Sequence, residues 1–186
     1  MTSALHSKDS ADWYTPSPFV EAARELMGGI DLDPASDAEA NHTVMADAYY
    51  TEADNGLDRP WAGRVFLNPP GGLVPNFWRT LMTEYRITRN VTEAIWIGYS
   101  LEQLQTLQGA AAETPLNFPI CVPKRRIAFI ENAAKRELRV AKLLAAGKKP
   151  NAKSQPSHAN YIAYLGAPSK ADEFKAIFSQ FGTVRL

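Results

Sequence analysis

Short apolar runs alternate with amphipathic stretches along this 186-residue chain. That alternation restricts the fold more than any other feature. "IDLDPAS" reads as a short strand entering a loop, "GRVFLNPP" as a second strand and "EAIWIGYS" as a third, buried one. "SPFVEAARELMGG", "NFWRTLMTEYRI", "LEQLQTLQGAA", "NAAKRELRVAKLLAAG" and "KADEFKAIFSQFG" read as helices. In the first of these, Ser17 is the expected cap, Pro18 suits the first turn, and Gly28 or Gly29 ends it. Phe19, Ala23, Leu26 and Met27 fall on one face. "PICVPKRRIAFI" predicts one or two strands, "NYIAYLG" one more, and "TVRL" a last. Strands and helices in alternation predict an α/β fold with a mainly parallel sheet and helices on both faces.

Such sheets bind ligands beyond the carboxyl ends of their strands. Two strands here end in proline-bearing polar loops, Leu32-Asp33-Pro34-Ala35-Ser36 and Leu67-Asn68-Pro69-Pro70. If those strands are neighbours, both loops open onto one edge. Proline and glycine clusters also mark ordinary turns, so "NPPGG" alone decides little. Its chemistry is more informative. Proline has no N–H and a fixed φ. The Asn68 side-chain oxygen and the Pro69 carbonyl can therefore both point into a pocket as acceptors. Two adjacent acceptors suit an –NH2 group, such as the exocyclic amine of adenine or cytosine. Bonds from its two protons help localise the nitrogen lone pair, and attack on an electrophilic methyl becomes feasible without a strong base.

Composition removes several alternatives. Cys121 is the single cysteine, so no internal disulfide forms, and His6, His42 and His158 lack metal-ligand spacing. No apolar run reaches bilayer length and no signal peptide is evident, so a cytoplasmic protein is expected. A phosphate-cradling Gly-rich loop is missing, which counts against other nucleotide-binding α/β enzymes. Formal charge is zero, but it is unevenly placed. Residues 1–62 hold 3 Lys/Arg against 12 Asp/Glu, and residues 124–153 hold 10 against 2. That second stretch suggests an anionic partner or a solvated helix face. Within it Lys135, Arg139 and Lys142 form one stripe of the predicted helix. Arg125, Arg126, Arg136, Lys148, Lys149 and Lys153 extend the charge.

The ordered set "DWYTPSPFVEAARELM", "IDLDPAS", "YYTEADNGL", "GRVFLNPPGG", "RRIAF" and "PSHANYIAYLG" resembles the phage and prophage DNA N6-adenine methyltransferase family, often labelled Dam-like. The similarity runs over roughly residues 12 to 166 of the sequence. It implies a Rossmann-like fold that binds S-adenosylmethionine (SAM). Asn68-Pro69-Pro70 resembles the catalytic motif. Asp33, Pro34, Ala35 and Ser36 resemble the SAM loop, and Tyr14-Thr15-Pro16 the segment that closes over the methionine part. Asp54 and Leu57 would meet the adenine of SAM, with Asp31 and Glu52 as rival carboxylates. Two positions depart from the pattern. An aromatic residue usually follows the second proline to stack on the base, and this chain has Gly71; Phe77, Trp78, Tyr99 or Phe129 would then supply the ring. The SAM loop "DPASDAEAN" also contains no glycine.

The resemblance therefore implies methylation of adenine N6 in DNA, with the base extruded from the duplex. Cytosine N4, RNA as substrate, or an inactive nucleic-acid binder are the alternatives. Residues 13–186 are expected to form one methyltransferase domain, residues 131–157 a basic DNA-facing insertion, and residues 1–12 a loose tail. An insertion that small predicts short or relaxed sequence specificity.

Overall fold

The computed structural model describes residues 13–149 and 158–186, apart from the Lys135 side chain. The expected tail and the polar loop that includes Lys153 therefore lie outside the described residues. In chain order the elements are β1 (Trp13–Tyr14), α1 (Ser17–Met27), β2 (Leu32–Asp33), α2 (Ala38–Val44), β3 (Ala48–Tyr49), β4 (Gly63–Leu67), α3 (Val74–Met82), β5 (Val91–Gly98), α4 (Gln103–Leu107), β6 (Ile120–Pro123), β7 (Ile130–Glu131), α5 (Ala133–Ala145), β8 (Tyr161–Leu165), α6 (Ala171–Phe178) and β9 (Gly182–Arg185).

Seven strands form one sheet in the order β3-β2-β4-β5-β8-β6-β9. The three pairings from β3 to β5 are parallel, and those from β5 to β9 are antiparallel. β6 consequently shares the direction of the parallel set, and only β8 and β9 oppose it. This is the expected α/β class with a largely parallel sheet, consistent with a Rossmann-like methyltransferase fold.

Alternating side chains of the central strands divide between two cores. Ala94 and Trp96 of β5 enter one, with Val74, Phe77, Trp78 and Leu81 around α3 and Leu107 of α4. Ile95 and Ile97 enter the other, with Val20, Ala23 and Leu26 of α1 and Phe174 and Phe178 of α6. Helices thus cover both faces, which is why β5 reads as a continuous apolar run rather than an alternating one. Trp78 packs edge-on to Trp96 with centroids 5.0 Å apart, an arrangement worth about 0.5–1.5 kcal/mol beyond its buried area. Cys121 is buried, and burial raises its thiol to about 11, so it stays protonated and unreactive.

Local chemistry accounts for the departures from expectation. Ser17 does not cap α1. Pro16 is the cap residue, and its carbonyl accepts from Phe19 N at 3.1 Å. Gly28 ends the helix in the left-handed region, as expected. Part of "DPASDAEAN" is helical rather than loop. Asp37 caps α2 by accepting from Ala40 N at 2.8 Å, and a seven-residue helix is too short for an apolar period to stand out. The third predicted helix is confined to α4. α3 begins two residues earlier than its predicted stretch and widens into a π turn over Thr83–Ile87. No helix among the described residues is long and apolar enough to cross a membrane.

Candidate active site

β2 pairs with β3 on one side and with β4 on the other, both parallel. The chain leaving β2 passes through α2 to β3, while the chain leaving β4 passes through α3 to β5. Adjacent parallel strands thus send their connections in opposite directions. A crevice opens at such a switch point, beyond the strands' carboxyl ends. Leu32 lies opposite Val65, so Pro34-Ala35-Ser36 and Asn68-Pro69-Pro70 emerge side by side at that edge.

Asn68 is half-buried, and its side-chain nitrogen donates to the Trp13 carbonyl at 2.6 Å. A carbonyl partner requires the NH2 end of the amide, so Oδ1 is left facing away as an acceptor. Pro69 is buried and Pro70 half-buried. The Pro70 carbonyl accepts from Leu73 N at 2.9 Å, closing the 3-10 turn Gly71–Leu73. Of the two proline carbonyls, that of Pro69 lies outside this turn.

Trp13 is held in place by β1, which pairs antiparallel with β7. Beside it the Tyr14 hydroxyl donates to Asp37 Oδ2 at 2.7 Å and accepts from the Asn132 amide. The Tyr14 hydroxyl is therefore engaged in tying β1 to α2 and to the start of α5. Next in sequence, Thr15 is buried, and its hydroxyl has no hydrogen-bond partner.

Asp33 is 3% exposed. Burial in low dielectric raises its carboxyl from 3.8 to about 7, opposed by bonds from Ala35 N, at 3.2 Å, and Ser36. Tyr50 N donates to the Asp33 carbonyl and Ser36 N to the Tyr50 carbonyl, so the turn after β3 lies along the loop after β2. Gly56 sits in that turn. A Cβ there would come 1.9 Å from the Pro34 carbonyl oxygen. Gly56 thus lets the turn after β3 pack closely on the loop after β2.

Leu57 is half-buried against the α3-side core. Asp54 accepts from Thr51 N and Oγ1 through Oδ2, at 2.9 and 2.7 Å, and these bonds hold its pKa down. One oxygen of Asp54 is thereby committed to its own turn. The rival Asp31 grips Arg64, accepting from its backbone N at 2.7 Å, its Nε at 2.9 Å and its terminal nitrogen. It precedes β2, at the sheet edge away from the crevice. Glu52 is exposed.

The basic stretch is partly spent on structure. Arg139 forms a two-pronged pair with Glu131, Nε to Oε1 at 2.8 Å and the terminal nitrogen to Oε2 at 2.9 Å. Glu131 lies in β7, so this pair binds α5 to the β1–β7 ribbon. Arg139 was expected on a free cationic stripe, and helical spacing alone could not reveal its partner. Arg125, Arg126, Arg136, Lys142, Lys148 and Lys149 are exposed. Neither core includes a described residue of α5.

Of the four rings considered for the place after Pro70, Phe77, Trp78 and Phe129 are buried. Tyr99 is half-buried and lies against Gly71. At this edge the loops after β2 and β4 thus lie side by side, with Trp13 bonded to Asn68, Gly56 packed on Pro34 and Tyr99 against Gly71. Trp13 and Gly56 were missed from sequence. The first acts through a main-chain carbonyl and leaves no mark in residue type, whereas the glycine in "EADNGL" offered a signal.

A family model described as Dam, DNA N-6-adenine-methyltransferase, matches residues 2–143. No curated protein matches the chain.

Proposed function

Because the chain belongs to the DNA N-6-adenine-methyltransferase (Dam) family, we propose that it methylates an adenine extruded from DNA, with Asn68 Oδ1 and the Pro69 carbonyl accepting from the N6 amine. Methylation of adenine N6 in DNA is the family activity, and the family implies SAM and a DNA substrate. The residues at the switch point fit SAM. Asp33 is a buried acceptor suited to its amino group or ribose. The unpartnered Thr15 hydroxyl suits its carboxylate, and Leu57 offers an apolar contact for its ring. Pro34, Ala35 and Ser36 present main chain where Gly56 allows close packing. SAM supplies an electrophilic methyl group on a sulfonium.

The chain's own contribution is orientation and electrostatics. Asn68 and Pro69 draw on the two amine protons and raise electron density at N6. An amide is no base at neutral pH, so the proton displaced on methylation leaves to solvent rather than to Asn68. Extrusion of the base costs a few kcal/mol, which phosphate contacts help offset. We assign those contacts to the exposed cations around α5 and read residues 131–157 as a DNA-facing insertion of a single domain. A buried single thiol suits the cytoplasm as the place of action.

The observation carrying this reading is the Asn68–Trp13 bond, which fixes which end of the amide is free beside the Asp33 loop. The test is to incubate DNA with protein and SAM, digest it and identify the modified nucleoside by mass. N6-methyladenine is the expected product. N4-methylcytosine would move the target to cytosine, and SAM binding without any modified nucleoside would mark a binder rather than an enzyme. Asn68→Ala is expected to keep SAM binding and lose roughly 100-fold in turnover, the scale set by removing a transition-state hydrogen-bonding group.

A further inference from the structure

We propose that Tyr99 is the stacking platform for the extruded base, and that Gly71 is small to make room for its ring. This rests on the methyltransferase reading above and adds a residue to it. A base taken out of a duplex loses two stacking neighbours, and proteins recover that loss on an aromatic face. The loop carrying Asn68 supplies no ring of its own, since Gly71 and Gly72 follow the prolines.

The ring comes from the adjacent strand. Leu67 pairs with Trp96, so continuing the parallel register sets Pro70 beside Tyr99, just past the end of β5. A Cβ on Gly71 would lie 3.4 Å from Tyr99 Cε1 and 3.7 Å from its hydroxyl oxygen. That spacing is ordinary contact for a methyl but excludes a second ring in the same place. Gly72 has nothing within 4 Å of its Cβ position, so the loop is open next to the residue that meets the tyrosine. Both glycines are exposed and Tyr99 is half-exposed, whereas Phe77, Trp78 and Phe129 are closed into the cores.

The platform is also fixed. Asn160, 3% exposed, donates to the Tyr99 carbonyl at 2.8 Å and accepts from Ile127 N at 2.8 Å. The His158 ring lies T-shaped to it with centroids 5.7 Å apart. A ring held through its backbone and by a neighbouring ring loses little freedom when a base settles on it.

The test compares single-turnover methylation of DNA by the parent, Tyr99→Phe, Tyr99→Leu, Tyr99→Ala and Asn68→Ala, with SAM affinity measured by calorimetry on each. Tyr99→Phe keeps the face and is expected to stay within about threefold of the parent, while Tyr99→Leu, which fills space without a π face, falls about tenfold or more. SAM affinity stays within about twofold in both, because the ring meets the base and not the cofactor. Gly71→Tyr alone lowers turnover by collision with Tyr99, and added to Tyr99→Ala it recovers about fivefold by restoring a ring. Turnover by Tyr99→Leu within about twofold of the parent, with Asn68→Ala inactive, would overturn the platform and leave the enzyme reading intact. Parental turnover by Asn68→Ala would overturn the underlying reading instead. If Tyr99→Ala fails to fold, the contrast between Phe and Leu still decides.

Discussion

The Asn68 side-chain amide donates to the main-chain carbonyl of Trp13 at 2.6 Å, across 55 positions of sequence. This bond selects one of two flips of the amide. With nitrogen toward Trp13, oxygen is the atom available to an amine. The amino-terminal ribbon thereby sets the chemistry of a loop it does not belong to.

Replacing Asn68 by aspartate tests that relationship directly. An ionised carboxylate has no donor for the Trp13 carbonyl, so two acceptors face one another. Losing the bond and leaving an acceptor unpaired costs about 1–3 kcal/mol, and turnover near pH 8 is expected to fall about tenfold or more. A protonated carboxyl can donate to Trp13 and keep its carbonyl oxygen free. The variant's turnover relative to the parent should therefore rise as pH falls, in a pH series of initial rates. A flat ratio would separate orientation by Trp13 from catalysis.

Asp33 gives a second pH dependence. Its carboxyl is raised from 3.8 to about 7 by burial, so folding favours the protonated form. The stability linked to that proton is complete below about pH 4 and is lost as pH rises to about 7. In thermal melts the parent is expected to lose stability relative to Asp33→Asn across this window. SAM, which brings hydrogen-bond donors, favours the ionised carboxylate, so its affinity should rise through pH 7 in the parent. Calorimetry on Asp33→Asn should show that rise diminished.

Gly56→Ala places a methyl 1.9 Å from the Pro34 carbonyl oxygen. Backbone cannot yield as a side-chain tip can, so the turn or the Asp33 loop must move. Overpacking of this kind costs about 1–3 kcal/mol, a fall in Tm of about 2–4 °C per kcal/mol for a chain of this size. SAM affinity is expected to fall as well. A stable variant with unchanged affinity would show that the 51–58 turn does not shape the cofactor site.

The basic stretch should divide in two when the salt dependence of DNA binding is measured. Each phosphate contact contributes about 0.9 to the slope of log K against log salt. Neutralising Arg136, Lys148 and Lys149 together is expected to lower that slope by about 2 to 3. Arg139→Ala instead frees Glu131 and loosens α5 from the ribbon, so melting falls more than the slope does. A slope loss at Arg139 equal to that of a free cation would argue that DNA breaks its pair with Glu131.

Burial on both faces made β5 a continuous apolar run, and Gly28 announced the end of α1; both were readable because a local pattern has a local cause. α2 escaped notice because Asp37, not an apolar period, defines it. Asp31 and Asp33 stand two residues apart, and sequence ranks Asp33 first only through its place in the "DPAS" loop. Their partners differ because Asp31, ahead of β2, grips Arg64, whereas Asp33, at the end of β2, is buried and accepts from Ala35 N.

By itself the sequence determined the alternation of strands and helices, the two proline loops and the chemistry that Asn68 and Asp33 can offer. Those follow from residue type and spacing, which act over a few bonds. Tertiary structure decided that β2 and β4 are neighbours, which end of the Asn68 amide is free, that Gly56 meets Pro34, that Tyr99 lies on Gly71 and that Arg139 is spent on Glu131. Each of these is a contact between distant segments. Its distance is set by how two cores pack on one sheet, and no local pattern encodes that.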